Sequence, residues 1–221
     1  MRLHYEILDA KRKEVWQKLA QFKDIGYLAG GTALALQIGH RVSYDFDVFC
    51  PKPITAPLTR KIMRALPVKK ILLNNGDEFT FLTLADIKVS FVYYPFDLSA
   101  QLKRETKALP LLSTQGVAIT KAYALNRRNS WRDYVDLYFV IRDKHASLKQ
   151  IIAAAGKVYG GAFSEKLFLA QLLYTDDIAL SEIKNSTLLE KINPPAGGQK
   201  SLAAIKRFLQ TAVKNYVKTD Y

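Results

Sequence analysis

The chain has 221 residues, of which 49% are hydrophobic and 24% are charged, so it can bury the core of one large domain or two small ones. These fractions exclude a disordered or low-complexity chain. The net charge of +13 favours polyanionic partners such as nucleic acid or nucleotides, and general solubility explains the charge equally well.

Cysteine usage and hydropathy indicate in which cellular compartment the protein is expected. The single cysteine, Cys50, excludes a disulfide framework and a multi-cysteine zinc site, and it favours a reducing, cytoplasmic location. Cys50 follows an apolar run, so we expect a buried hydrophobic residue rather than a nucleophile. No apolar run approaches the ~18 residues of a membrane span, so no membrane partner is expected.

The first half of the sequence predicts a mixed α/β unit. Helical periodicity predicts helices over 9–22, 32–38 and 58–66. Alternating or branched apolar residues predict strands over 44–49, 68–73, 79–84 and 87–93. Asp9 is a suitable N-cap for the first helix, and Gly39 is a suitable end for the second.

Beyond Pro110 the sequence pattern becomes helical. Helices are expected over 117–126, 131–142, 148–158, 164–173 and 202–217. Proline and glycine pairs within 193–198 predict a loop before the last of these helices. The change of pattern predicts an α/β domain over 1–112 and a helical domain over 113–221.

A glycine-rich turn is the first candidate binding feature. Gly30, Gly31 and Thr32 lie between an apolar run and a helix. Two glycines allow a close approach of the backbone to an anion, and the helix N-terminus adds N–H groups and a positive dipole end. The turn therefore suits a phosphate group, although a tight turn without a ligand fits it as well.

Two carboxylates follow this turn. Period-two alternation places Asp45 and Asp47 on one face of the predicted strand. Carboxylates so close repel each other unless a cation compensates, and Mg²⁺ prefers such a pair together with substrate phosphates. The alternative is that His40 or Arg41 pairs with one of them.

A second charged group lies in the helical half. Asp133 and Asp136 are three residues apart on a predicted helix and share a face, with Arg128 and Arg132 as a basic stripe beside them. Lys121 reaches the same region if the two helices form a hairpin. Alternatively, these residues form a salt-bridged helix pair that only stabilises the fold.

These residues resemble a known superfamily. Gly30-Gly31, a short helix and Asp45-Phe46-Asp47-Val48 resemble the signature of DNA polymerase β-type nucleotidyltransferases, and LAGGTALALQIGHRVSYDFDVF is similar to the AbiEii/AbiGii toxin branch in particular. ITKAYA with WRDYVDLYFVI resembles the Lys…Arg…Arg-Asp-x-x-Asp motif of that branch. The matching blocks extend from about residue 27 to 141, and we recognise no motif over 145–221.

The resemblance implies a nucleotidyltransferase-fold mixed β-sheet with flanking helices, followed by a helical C-terminal half. It also implies Mg²⁺-dependent transfer of a nucleoside monophosphate from an NTP to an acceptor hydroxyl, RNA or tRNA among the candidates, by the toxin of a toxin–antitoxin or phage-defence system. An antitoxin protein is then a candidate partner. The implied catalytic residues are Asp45, Asp47, Lys121 and Asp136, and Asp45 and Asp47 are also the implied metal ligands. The implied nucleotide-binding residues are Gly30, Gly31, Thr32, Lys121 and Arg132.

One departure from the superfamily pattern leaves an alternative open. A third carboxylate usually lies on the neighbouring strand, where this chain has Ser90 in the expected register, or Lys88 two residues before it. Asp133 or Asp136 is a candidate for the missing group. Otherwise the chain is a degenerate transferase that binds nucleotide or RNA without turnover, or a module that chiefly docks an acidic antitoxin.

Overall fold

The structure is a computed structural model that describes residues 3–104, 108–174 and 202–220. It divides into two compact units, Met1–Ser113 and Thr114–Tyr221. The first unit carries a mixed β-sheet with helices, and the described part of the second is helical. This arrangement confirms the predicted fold class.

The α-helices in the described residues are α1 (Ala10–Leu19), α2 (Gly30–Ile38), α3 (Ala56–Ala65), α4 (Thr114–Leu125), α5 (Trp131–Arg142), α6 (Leu148–Tyr159), α7 (Glu165–Leu173) and α8 (Leu202–Asp220). The β-strands are β1 (Tyr27–Ala29), β2 (Phe46–Cys50), β3 (Val68–Asn74), β4 (Glu78–Thr83), β5 (Lys88–Tyr93), β6 (Leu102–Lys103) and β7 (Leu111–Leu112). None of these helices has the length and apolar character that a membrane span requires.

Local sequence signals set several of these boundaries. The Asp9 side chain caps α1 by accepting a hydrogen bond from the backbone N–H of Arg12 at 2.8 Å. Gly39 ends α2 with a left-handed φ of 60°. The Asn75 side chain closes the β3–β4 hairpin because its oxygen accepts from the backbone N–H of Glu78 at 2.7 Å.

The sheet of the first unit has the order β3-β4-β5-β2-β1-β7-β6 among the described strands. The central strand β2 is antiparallel to β1 and parallel to β5. Its buried face carries Phe46 and Val48, together with Phe91 of β5, which contacts Phe22 edge-to-face at 5.1 Å. Because side chains alternate along a strand, Asp47 points from the opposite face. The core therefore fixes the direction in which this carboxylate points.

The second unit is built on α5, which is buried along most of its length. Trp131, Tyr134 and Phe139 of this helix are at most 1% exposed. A capping box at Ser147 begins α6, and Tyr138 contacts Phe208 of α8 edge-to-face at 5.1 Å. Aromatic packing thus stabilises this unit.

The structure differs from the sequence-based predictions at a few boundaries. The strand β2 begins at Phe46, so Asp45 precedes it instead of lying within it. The helix α2 begins at Gly30, two residues earlier than predicted, because the glycines form its first turn. The strands β6 and β7 have two residues each, too few to produce a periodic pattern. The predicted loop at 193–198 lies outside the described residues.

The prediction for Cys50 is confirmed. This residue is 1% exposed, and burial raises the pKa of its thiol to about 12. A thiol with so high a pKa is almost entirely protonated at neutral pH, so it is a poor nucleophile.

Candidate functional site

The first unit places Asp47 directly beside the glycine pair. Asp47 pairs with Ala29 across the β1–β2 ladder, and Ala29 immediately precedes Gly30. A methyl group at Gly30 would lie 2.7 Å from Oδ2 of Asp47, closer than carbon and oxygen can approach. The carboxylate therefore occupies the space that a side chain at Gly30 would need.

Both glycines have a structural requirement of their own. Gly30 has a left-handed φ of 65°, which side chains disfavour. A methyl group at Gly31 would lie 1.9 Å from Nη2 of Arg41, a residue that is only 5% exposed. The glycine pair thus admits a carboxylate and a guanidinium against the first turn of α2, whether or not a phosphate also binds there.

The N-terminus of α2 has the features of an anion site. Its N-cap residue is Ala29, which has no side chain that could accept a hydrogen bond from the first turn of the helix. Within the described residues, the first-turn N–H groups are therefore not capped by the N-cap side chain. Thr32 instead donates to the backbone oxygen of Asp45, and its Oγ1 lies 2.7 Å from Oγ of the buried Ser43. These contacts fix Asp45 against the helix that Gly30 and Gly31 begin.

The carboxylate of Asp45 lies on the same face of the sheet as that of Asp47. Ser90 pairs with Asp47 across the parallel β2–β5 ladder, and Lys88, two residues earlier, points from the same face. Nζ of Lys88 is 3.8 Å from Oδ2 of Asp45, which places that carboxylate on this face too. The side chain of Asp45 is 34% exposed, so solvent and solutes reach it.

The register confirms the prediction that Ser90 occupies the position opposite Asp47. Ser90 is 4% exposed. On its other side it pairs with Thr80 of β4, whose hydroxyl donates a hydrogen bond to the carboxylate of Glu78. Neighbouring strands are about 4.8 Å apart, so Thr80 lies roughly 10 Å from Asp47. Among the described residues, Glu78 does not join Asp45 and Asp47 in a cluster of three possible metal ligands.

Two carboxylates are nevertheless sufficient for one class of metal. Among the described residues no cluster of three His, Cys, Asp or Glu side chains has metal-binding geometry. Mg²⁺ commonly binds through one or two carboxylates, with water and substrate phosphates as the other ligands. Asp45 and Asp47, beside the N-terminus of α2, fit that requirement.

The second unit collects the other predicted residues into a buried ion cluster. Nζ of Lys121 on α4 lies 2.5 Å from Oδ1 of Asp133 and 3.2 Å from Oδ2 of Asp136, both on α5. The two aspartates are fully buried, and Lys121 is 7% exposed. These contacts form the salt-bridged helix pair that the sequence left open as the structural alternative.

The arginines of this motif differ from each other. Arg128 lies in the loop before α5, and its Nε is 3.1 Å from Oδ2 of Asp133. Arg132 lies on α5, four residues before the buried Asp136, and its side chain is exposed. The predicted basic stripe of Arg128 and Arg132 is therefore not formed, because Arg128 approaches Asp133 from the loop whereas Arg132 lies on α5.

The sequence match extends over most of the chain. The family model described as nucleotidyl transferase AbiEii toxin, type IV toxin–antitoxin system, matches residues 17–214. The chain belongs to this AbiEii family. It is also 30% identical over 174 residues to an uncharacterized protein of Aquifex aeolicus (strain VF5). The aligned region covers 75% of this chain and 84% of that protein.

Solved structures share the fold of this AbiEii family member. JHP933 from Helicobacter pylori aligns with a TM-score of 0.61 at 18% identity, over 98% of this chain and 91% of that one. MenT4, a nucleotidyltransferase toxin of Mycobacterium tuberculosis H37Rv, aligns with a TM-score of 0.51 at 12% identity, over 92% and 80% of the two chains. Family and fold together make the protein an enzyme of the nucleotidyltransferase type.

Sequence reasoning missed some residues of the site in this AbiEii protein. Ser43 and the Lys88–Asp45 contact were not foreseen, because neither residue has a distinctive spacing from the glycines. Arg41 was considered only as a carboxylate partner, whereas its guanidinium also lies against Gly31. A basic residue between a glycine pair and an Asp-x-Asp sequence is the signal that could have identified it.

Proposed function

We propose that the protein transfers a nucleoside monophosphate from a Mg²⁺–NTP complex to a hydroxyl group of RNA, with tRNA as the leading acceptor, and that this reaction makes it a toxin. The observation that carries the proposal is the position of Asp47. Its carboxylate lies against Gly30 at the start of α2, with Asp45 on the same sheet face. One surface thus presents two carboxylates and a helix N-terminus together, which supports binding of a metal ion and a phosphate.

The reaction that fits this surface is a substitution at the α-phosphorus of the NTP. The acceptor oxygen forms a bond to this phosphorus, the bond to the bridging oxygen of the β-phosphate breaks, and pyrophosphate leaves. The proton of the acceptor hydroxyl passes to solvent or to a carboxylate of the site. When bound, Mg²⁺ would neutralise charge on the phosphates.

The residues of the first unit contribute position and charge. Asp45 and Asp47 would hold the metal, and the N–H groups of Gly30, Gly31 and Thr32 would bind phosphate oxygens at the helix end. Lys88, next to Asp45, adds a cation on the same face. Preorganised groups of this kind lower the barrier without rearranging during the reaction.

The roles of Lys121, Asp136 and Arg132 stay predictions. Lys121 and Asp136 are proposed as catalytic residues, and Lys121 and Arg132 as nucleotide-binding residues. The exposure of Arg132 is compatible with a ligand contact. For Lys121, burial with two carboxylates means that any catalytic role must be tested separately from its contribution to stability.

The net charge and the family support the proposed RNA acceptor and the proposed antitoxin partner. A net charge of +13 suits a polyanionic acceptor, and counterion release makes binding of such a substrate strongly salt-dependent. We propose a cytoplasmic setting, where tRNA and NTPs are available. An antitoxin made with the protein is proposed as its counterpart in the toxin–antitoxin system.

Transfer of label from α-³²P NTPs to total tRNA tests the proposal directly. Wild-type protein should label RNA when Mg²⁺ is present and not when the metal is chelated. Asp47→Asn should lower the rate by roughly 100-fold or more, the usual effect of losing a preorganised charge at the reacting phosphate. Circular dichroism and thermal melting should show an intact fold.

A matched control tests whether the effect of Asp47→Asn is specific to the site. Asp77→Asn removes the same charge from an exposed turn of the first unit and should leave labelling unchanged. If Asp47→Asn labels RNA at the wild-type rate, the metal and catalytic assignments are wrong. Stabilisation of the wild type by Mg²⁺–NTP without any transfer would instead favour the non-catalytic binding module.

A further inference from the structure

A cavity lies at the end of β2 that is opposite to Asp47 and the glycine pair. It has a volume of about 300 Å³ and is formed where β1 begins, β2 ends and the chain leaves β5. Its lining includes Lys23, Asp24, Tyr27, Phe96, Asp97 and Arg104. The cavity has the size of a small ligand site and lies wholly within the first unit.

A row of aromatic rings connects this cavity with the carboxylate face. Phe49 lies two residues after Asp47 on β2, so both point from the same face. The ring of Phe49 is 6.1 Å from that of Tyr27 and stacks on Tyr94 at 4.3 Å with an interplanar angle of 18°. Tyr94 in turn contacts Phe96 at 5.5 Å. Phe49, Tyr94 and Phe96 are only half-buried, so parts of their rings are accessible.

The charges around the cavity are of both signs. Arg104 and Lys23 are exposed cations, and Asp24 and Asp97 are exposed carboxylates. Hydrogen bonds from the side chain and the backbone N–H of Ser99 lower the pKa of Asp97, so this group is an ionised acceptor at neutral pH. Cations fit phosphates, aromatic faces fit bases, and carboxylates accept from exocyclic amino groups.

We propose that this cavity binds a nucleotide of the RNA acceptor strand, a few positions away from the hydroxyl that reacts. Pro51, which lines the cavity, is four residues beyond Asp47, or about 13 Å along the strand direction. A few nucleotides at about 3.4 Å each span this distance when stacked. The inference rests on the proposed function for the identity of the acceptor, and the accessible rings of Phe49, Tyr94 and Phe96 would guide the strand between the two sites.

Binding of a short fluorescein-labelled single-stranded oligoribonucleotide tests the proposal without any transfer reaction. Phe96→Ala should weaken binding by about 5- to 100-fold, the range for loss of one stacked base. Phe96→Tyr keeps the ring and should bind like the wild type. Arg104→Ala should lower the slope of log Kd against log salt by about 0.7, the value for one lost phosphate contact.

Arg60→Ala is the matched control, because it removes an equal charge from an exposed position on α3. It should leave RNA affinity near that of the wild type. The proposal is overturned if Phe96→Ala and Arg104→Ala both bind the oligonucleotide like the wild type. It is also overturned if the two variants bind free UMP more weakly than the wild type but bind the oligonucleotide equally well. The cavity would then be a site for a free nucleotide and not for RNA.

Failure of this proposal is distinguishable from failure of the proposed function. Mg²⁺–NTP stabilisation should be the same in Arg104→Ala and in the wild type, because Arg104 is assigned to the acceptor alone. Loss of labelling in Asp47→Asn with retained oligonucleotide binding would support both assignments. RNA binding that depends on Phe96 in a protein without transfer activity would support the cavity and refute the enzyme reaction.

Discussion

Two pairs of aspartates, one in each unit, look alike in the sequence and have different environments in the structure. Asp45 and Asp47 lie on a half-exposed sheet face beside two glycines. Asp133 and Asp136 are fully buried, and Lys121 lies within 3.2 Å of both. The comparison shows that spacing identifies a pair of carboxylates, whereas burial and neighbouring cations determine what the pair can do.

The difference is one of electrostatic compensation. A buried ion cluster is satisfied within the protein, and removal of one member leaves an uncompensated charge in a medium of low dielectric. The half-exposed pair is accessible to solvent, so a metal ion and phosphates can reach it. We therefore expect substitutions in the two pairs to differ first in folding stability and then in their response to Mg²⁺.

The largest effect on stability is expected for Lys121→Ala. Loss of the ammonium leaves Asp133 and Asp136 buried without it, and breaking a buried pair costs about 3–5 kcal/mol of folding free energy. Urea unfolding followed by circular dichroism measures this change. Lys157→Ala, an exposed lysine on α6, is the control and should change stability by less than about 0.5 kcal/mol. Equal midpoints for both variants would show that the buried cluster is not stabilising.

An intermediate effect is expected for Gly31→Ala. The added methyl group would lie 1.9 Å from Nη2 of Arg41, so the buried guanidinium must move, and such overpacking costs about 1–3 kcal/mol. Gly156→Ala is the matched control because no atom lies within 4 Å of the added group. Within α6 it should stabilise by about 0.5–1 kcal/mol. A Gly31→Ala protein as stable as the wild type would contradict the close packing of Arg41.

A smaller, metal-dependent effect is expected for Ser90→Asp. The new carboxylate would lie opposite Asp47 and repel it, at a cost of about 1–2 kcal/mol in the absence of metal. Mg²⁺ should reverse this loss and bind more tightly than in the wild type, since three carboxylates would then be available. Thermal melting across a Mg²⁺ titration measures both changes. Ser90→Asn introduces an uncharged side chain of the same shape as Asp, so it shares any cost of the larger side chain but should show neither the charge repulsion nor the Mg²⁺-dependent recovery.

How far the sequence predicts the structure depends on whether a feature is local. The N-cap at Asp9 and the end of α2 at Gly39 follow from short-range patterns, and the structure confirms them. The register of Ser90 opposite Asp47 is a long-range feature that the resemblance to the superfamily predicts, and the structure confirms it as well. Burial of Lys121 does not follow, because helical spacing shows which residues share a face but not what covers that face. The contact of Arg128 with Asp133 does not follow either, because Arg128 lies between the two predicted helices, where no periodic pattern fixes the direction of a side chain.

The smallest change in stability should come from replacing the whole buried cluster, and this variant separates the two roles of Lys121. Lys121→Met with Asp133→Leu and Asp136→Leu removes every charge of the cluster that lies inside the fold, leaving the exposed Arg128 in solvent. Apolar replacement of a buried ion group is often neutral or stabilising, so the melting temperature should be close to that of the wild type. If Lys121 and Asp136 are catalytic, as proposed, this well-folded protein should no longer label tRNA.

Lys121→Ala alone cannot separate the two roles, because its loss of activity would follow from unfolding. Wild-type labelling by the triple variant would make the cluster a structural element, and the reaction would then depend on Asp45 and Asp47 without it.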